Sequence, residues 1–101
     1  MFGKIGDMMG KLQEMKQRAE EIKSKLDEVV ISTEGAGGDI KIEITGNREI
    51  KNIKISDTLQ HGDKLELQKQ LLVTINKAIT EASKVNESEM KKAATGLLPG
   101  M

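Results

Sequence analysis

From Met8 onward, apolar residues recur at Met8, Leu12, Met15, Ala19, Ile22, Leu26 and Val29, at alternating intervals of four and three. That spacing is a heptad seam, and it predicts an amphipathic helix. Asp7 stands where an N-cap is expected, and the β-branched run Val29-Val30-Ile31 ends the helix near Glu28. The period then changes from helical to alternating, and three short strands are predicted, over about 29–33, 39–45 and 48–56. In the second, Ile40, Ile42 and Ile44 alternate with Lys41, Glu43 and Thr45, the pattern of a half-buried antiparallel strand. In the third, isoleucines at 50, 53 and 55 slip once out of alternation. A bulge near Lys51-Asn52 accounts for the slip, and so does Ile50 turned to the outer face. Gly46-Asn47 marks a tight turn between strands two and three.

Residues 57–62 read as a short connection, and Asp63 with Glu66 forms the pattern of a capping box. A second long helix follows, with Leu67, Leu71, Leu72, Ile75, Ala78, Ile79, Ala82 and Val85 on its apolar face. It runs to about Ala94, and the glycines and proline of 96–100 stop it. The expected fold class is therefore α+β. A single domain over 1–101 forms an α-β-β-β-α subunit, a three-stranded antiparallel meander flanked by two long helices.

Composition adds one constraint to this picture. The chain has 101 residues, one Phe, no Trp and no Tyr, so Ile, Leu, Val, Met and Ala carry the packing. A chain of this size buries on the order of 65% of its unfolded surface. A core this small and this poor in aromatics suggests that a second copy completes it. With no cysteine, disulfides and thiolate metal sites are excluded, and a reducing compartment fits. The start of the chain lacks the apolar stretch of a secretory signal, and no run is long enough to span a membrane. A cytoplasmic protein is expected.

The cluster Gly35-Ala36-Gly37-Gly38 raises the question of a phosphate-cradling loop. Such a loop follows a strand and opens a helix, because the helix N-terminus supplies the amide donors. Here the glycines open the alternating run Asp39-Ile40-Lys41-Ile42, and no Gly-Lys-Ser/Thr completes a P-loop. A hairpin loop needing positive φ is the expected role. His61 is the only histidine and sits in a polar connection beside Gly62. It reads as a solvated loop residue, and no nucleophile-base grouping can be assembled around it. No catalysis, no metal, no cofactor and no small-molecule substrate are expected.

Sixteen basic residues balance sixteen acidic ones, so partners must be read from how charge is distributed. On the first helix both flanks of the seam are basic, with Lys11, Arg18 and Lys25 on one and Lys16 and Lys23 on the other. Two copies of this helix would set like charges against like in a simple coiled coil. The long basic stems either lie over an apolar contact with a different helix and reach out to water, or line a surface that meets a polyanion. On the last helix Lys77, Lys84 and Lys91 recur every seven residues, extended by Lys92. The helices, about 30 and 48 Å long, overhang strands of about 20 Å. Their overhanging apolar residues, among them Met8, Met9, Leu12, Val85 and Met90, pair with each other as an arm, and the sheet joins that of a second copy.

Several strings in succession carry a resemblance: the start "MFGK", "GAGG" before an alternating strand, the "ITGN" turn, "IKISDTL" leading to a capped helix with "LLV" and Asn76, and the closing "GLLPG". Over nearly the whole chain this order resembles the YbaB/EbfC family of nucleoid-associated proteins. The resemblance implies a tweezer-like homodimer with sheets as body and helices as arms. It implies a bacterial cytoplasmic protein of the nucleoid that binds duplex DNA with low sequence specificity and affects nucleoid organisation or gene expression. The family offers no compact DNA-contact motif to transfer. Helix geometry instead selects Lys11, Arg18, Lys25, Lys84, Lys91 and Lys92 on the arms as DNA-binding residues. A prefoldin-like interaction module is the rival reading, its Met-rich start gripping a protein client.

Overall fold

The structure, a computed structural model, describes the backbone of residues 2–97 and the side chains of residues 7–95. Helix α1 spans Phe2–Glu28 and starts well before Asp7, which lies inside it and is not its cap. Ile5 stands three residues before Met8, in phase with the seam, so the helical pattern continues past the point where Asp7 suggested a start. Strands β1 (Val30–Gly35), β2 (Ile40–Thr45) and β3 (Ile50–Ile55) form one sheet in the order β1-β2-β3. Both pairings are antiparallel. Within the β2–β3 ladder Glu43 pairs with Asn52 while Ile44 pairs with Ile50. Lys51 is the extra residue, so the bulge is the cause of the slip and Ile50 stays on the inner face with Ile53 and Ile55.

After β3 the chain makes a one-turn helix, α2 (Asp57–Gln60), where a plain connection was expected. Ser56 caps it by accepting from the Leu59 amide at 3.2 Å. Helix α3 spans Lys64–Leu97. Asp63 Oδ1 accepts the Leu65 amide at 3.0 Å, but Glu66 turns to Gln70, so only the Asp63 half of the capping box forms. α3 runs through Gly96 to Leu97, past the end expected near Ala94; of the expected stop at 96–100, residues 98–100 lie outside the described residues.

The sheet's inner face and one face of α3 make the core. Ile40, Ile42 and Ile44 are fully buried with Ala78 and Ala82. Small residues on α3 let it approach the isoleucine row closely. Thr33 and Thr74 are also buried: Thr33 donates to Glu81 Oε2 at 2.5 Å, and Thr74 donates to the Gln70 carbonyl at 2.7 Å. Glu81 therefore anchors β1 to α3. The outer face of the sheet is polar and exposed, with Ser32, Glu34, Lys41, Glu43, Asn52 and Lys54. No helix among the described residues is long and apolar enough to cross a membrane.

The glycine cluster divides its work. Gly37 and Gly38 have φ of 67° and 97°, as a hairpin loop with positive φ requires. Gly35 is instead the last residue of β1, paired with Ile40. A Cβ there would collide with Thr74 Oγ1 and lie 2.8 Å from Thr74 Cβ. Gly35→Ala is expected to push β1 off α3 and to destabilise the fold by about 2–3 kcal/mol, as overpacking in a filled core does. Gly37→Ala meets open space and costs only the left-handed backbone, about 1 kcal/mol. Urea unfolding of the two variants should rank them in that order.

Candidate nucleic-acid interface

The molecule measures 71 × 22 × 18 Å, far longer than its strands. The excess is helix. α1 meets the body only through its last turns, where Leu26 is fully buried and Ile22 half-buried. From there it runs back antiparallel to the C-terminal part of α3. The two form one arm, with Met15, Arg18, Ala19 and Ile22 facing Met90, Ala93 and Ala94 across a cleft of about 250 Å³. Met90 thus faces α1 across the cleft but stays 41% exposed, and Val85 is half-buried. Met8, Met9 and Leu12 lie farther out and remain 60–65% exposed.

The six basic residues chosen from sequence all lie exposed on this arm or at its base, in two different situations. Lys25 of α1 reaches Glu89 of α3 at 3.3 Å, and Lys92 reaches the same carboxylate at 3.7 Å. Glu89 therefore joins the basic row of α1 to the basic end of α3. Lys25 chiefly, by hydrogen bond and charge, holds the Glu89 carboxyl below its ordinary pKa; Lys92 adds to the effect and desolvation opposes it. Arg18 pairs with Glu14 one turn away at 3.6 Å. Lys91 and Lys92 line a shallow depression with Ser88 and Thr95. Among the described residues, no carboxylate lies within ion-pairing distance of Lys11, Lys84 or Lys91.

Within one subunit the two basic rows do not share one face. The α1 row meets α3 at Glu89, and Lys84 and Lys91 lie on another flank. Lys77, first in the α3 row, is tied to the body by a hydrogen bond to the Glu34 carbonyl at 3.2 Å. Exposed ion pairs of this kind contribute little to stability. A phosphate can replace the carboxylate on Lys25, Lys92 or Arg18 at small cost. Glu89, which the sequence reading did not single out, becomes the acidic competitor at the centre of the basic surface. Its i,i+3 spacing to Lys92 was the only local sign of it.

A model of the YbaB/EbfC DNA-binding family matches residues 1–97. A nucleoid-associated protein of Flavobacterium johnsoniae is 44% identical over 73 residues, which cover 72% of this chain and 68% of that one. A nucleoid-associated protein of Hahella chejuensis is 30% identical over 95 residues, covering 94% and 88%. One from Caldicellulosiruptor saccharolyticus is 38% identical over 65 residues, 63% of this chain and 58% of its own, so that match spans little more than half of the relative. In fold, the chain resembles an uncharacterized protein from Helicobacter pylori, whose crystal structure aligns with a TM-score of 0.74 at 22% identity, over 89% of this chain and 91% of that one. With a family model covering nearly every residue and relatives alike along most of their length, the chain belongs to the YbaB/EbfC DNA-binding family.

Proposed function

We propose that this chain works as a homodimer in the bacterial nucleoid, gripping duplex DNA through phosphate contacts from its helical arms with little sequence preference. The observation that carries the reading is the Lys25–Glu89–Lys92 junction. It places basic side chains of two helices side by side on an arm that extends past the body. Lys11 and Arg18 lengthen that surface along α1, while Lys84 and Lys91 add a second basic strip on another flank of α3. Five of the six are lysines, point charges suited to phosphate, and only Arg18 carries a planar donor fork of the kind that reads a base edge; among the described side chains no aromatic platform is available for single-stranded bases.

The homodimer rests on a different surface. α3 covers β1 and β2: Thr74, Lys77 and Glu81 lie on the flank that meets β1. On the opposite flank, where Ser83 accepts from Arg48 just before β3, Leu72 and Ile79 are exposed. Ile53 is on the inner face of β3, opposite the buried Ile42, yet is 41% exposed. A second copy laid over β3 by a two-fold axis would cover both groups at once.

Fluorescence anisotropy with a labelled duplex tests the DNA reading. If the six basic residues of each subunit of the dimer meet phosphates, log affinity falls against log salt with a slope of about −11, and of about −5 if only one subunit engages. Unrelated duplex sequences should compete within about threefold of one another, as phosphate-borne affinity requires. A slope near zero, or one sequence preferred a thousandfold, would overturn it. The Met- and Ala-lined cleft and the exposed Met8, Met9 and Leu12 favour the rival reading, an adaptable protein-binding arm. That reading predicts salt-insensitive retention of an unfolded client in place of duplex binding.

A further inference from the structure

The Gly46-Asn47 turn does more than join β2 to β3. Gly46 is buried against the end of α1, and its amide lies 3.0 Å from the Leu26 carbonyl and 3.1 Å from that of Val29. Asn47 Nδ2 donates to the Lys23 carbonyl at 2.8 Å and to Asp27 Oδ1 at 2.5 Å. On the other side, Asn86 Nδ2 of α3 donates to the Gly46 carbonyl at 3.0 Å and to Asn47 Oδ1 at 3.4 Å. The turn itself is held by Thr45 Oγ1, which accepts the amides of Asn47 and Glu49, both at 3.2 Å. The Leu26 carbonyl, one of the last four of α1 that a helix leaves without intrahelical partners, is thus met by a turn that is also tied to α3.

We propose that Asn47 and Asn86 are positioning residues that set the direction in which the α1 arm leaves the body. Apolar packing between the helices cannot do this alone. Their facing residues are largely Met and Ala and leave a cleft of about 250 Å³, and non-directional contacts across such a gap fit a range of tilts. The hydrogen bonds at the turn are directional. The chemistry also fixes the amide's orientation, because its nitrogen faces a carbonyl and a carboxylate while its oxygen faces the Asn86 amide. Asn47→Asp would set oxygen against both acceptors on α1, so this nearly isosteric change should act as strongly as Asn47→Ala.

The proposal rests on the reading of α1 as a DNA-binding arm for its use, but its test does not. The chain has no cysteine, so spin labels can be placed at Gln13→Cys on α1 and Lys54→Cys on the sheet. Both sites are exposed. Labelled protein is diluted into unlabelled protein so that distances within one subunit dominate. Gln13 lies ~15 Å along the helix from Lys23, so a tilt of ~15° moves it by ~4 Å. A single narrow distance is expected in the parent. Asn47→Asp and Asn86→Ala, with circular dichroism showing intact helices, should shift or broaden it by at least that amount. Where Asn47→Asp fails to fold, Asn86→Ala, which leaves the α1 side of the turn untouched, decides alone. Distributions that superimpose on the parent overturn the proposal, whatever DNA binding does. A shifted arm with unchanged duplex affinity leaves the proposal standing and overturns the assignment of DNA to the arms.

Discussion

Reversing Lys11, Arg18 and Lys25 to glutamate together is expected to weaken duplex binding at least ~100-fold at low salt and to flatten the salt dependence by about 5 in slope, as losing about three phosphate contacts from each of two subunits requires. Lys54→Glu, on the sheet's outer face and off the arm, serves as the control for net charge and should change affinity by less than about threefold, because screening confines such a charge to its surroundings. The sharper arm of the experiment has the opposite sign. Glu89→Gln removes the carboxylate that holds both Lys25 and Lys92 and should tighten binding by about threefold to tenfold, by freeing two cations for phosphate. A protein whose basic rows merely keep a helix solvated would lose nothing measurable in the first variant and gain nothing in the second.

The same carboxylate sets an expectation for pH. The pKa of Glu89 is lowered on folding, chiefly by Lys25. A lowered folded value means that its contribution to stability is fully present above the ordinary carboxylate range and is lost as pH falls through the lowered value. Glu89 therefore stays charged between about pH 6 and pH 8, and acidification within that window does not release its lysines. Duplex affinity at constant ionic strength should be flat across the window. A titration that rises steeply on going from the upper to the lower limit would mean that a group other than Glu89 controls the contact with DNA.

How far the molecule could be read from its sequence follows from how far apart the interacting residues lie. The heptad seam of α1, the Ile40-Ile42-Ile44 row and the slip in the third strand are local periodicities; the first two marked their elements, and the third left a bulge and an outward Ile50 both open until the register placed Lys51 in a bulge. The resemblance to the family was legible because its strings succeed one another along the chain. The contacts that give the arm its character are not local. Lys25 and Glu89 are 64 residues apart, and Asn47 and Asn86 are 39 apart. No spacing rule brings such pairs together. Two local signals were present but outweighed. Ser56 before Asp57-Thr58-Leu59 is an N-cap, and it makes α2 from what read as a plain connection. Asp7 has the chemistry of a cap, yet the seam continues in phase through Ile5 and the helix does the same. Gly35 looked like its neighbours in the loop, although its role comes from Thr74, on a helix that begins after the whole sheet.

The apolar flank of α3 carries the second large expectation. Ile53→Lys combined with Leu72→Lys should convert a dimer at ~10 µM into a monomer by light scattering, with helix content retained, because burying unpaired charge costs several kcal/mol per site. Two-fold symmetry doubles the effect: two substitutions in the chain set four ammonium groups into one self-complementary face. In the monomer these side chains are already exposed, so the subunit itself should tolerate the change. Lysine is the informative choice, because it raises the net positive charge. If DNA were held by single arms acting alone, the added charge would leave affinity unchanged or raise it. If two arms joined through this face must engage together, affinity falls by tenfold or more despite the added charge, because the second arm's contacts are no longer intramolecular. A parent protein that scatters as a monomer at that concentration, or a variant that remains a dimer, removes this face from the assembly and leaves Ile53, Leu72 and Ile79 in need of another partner.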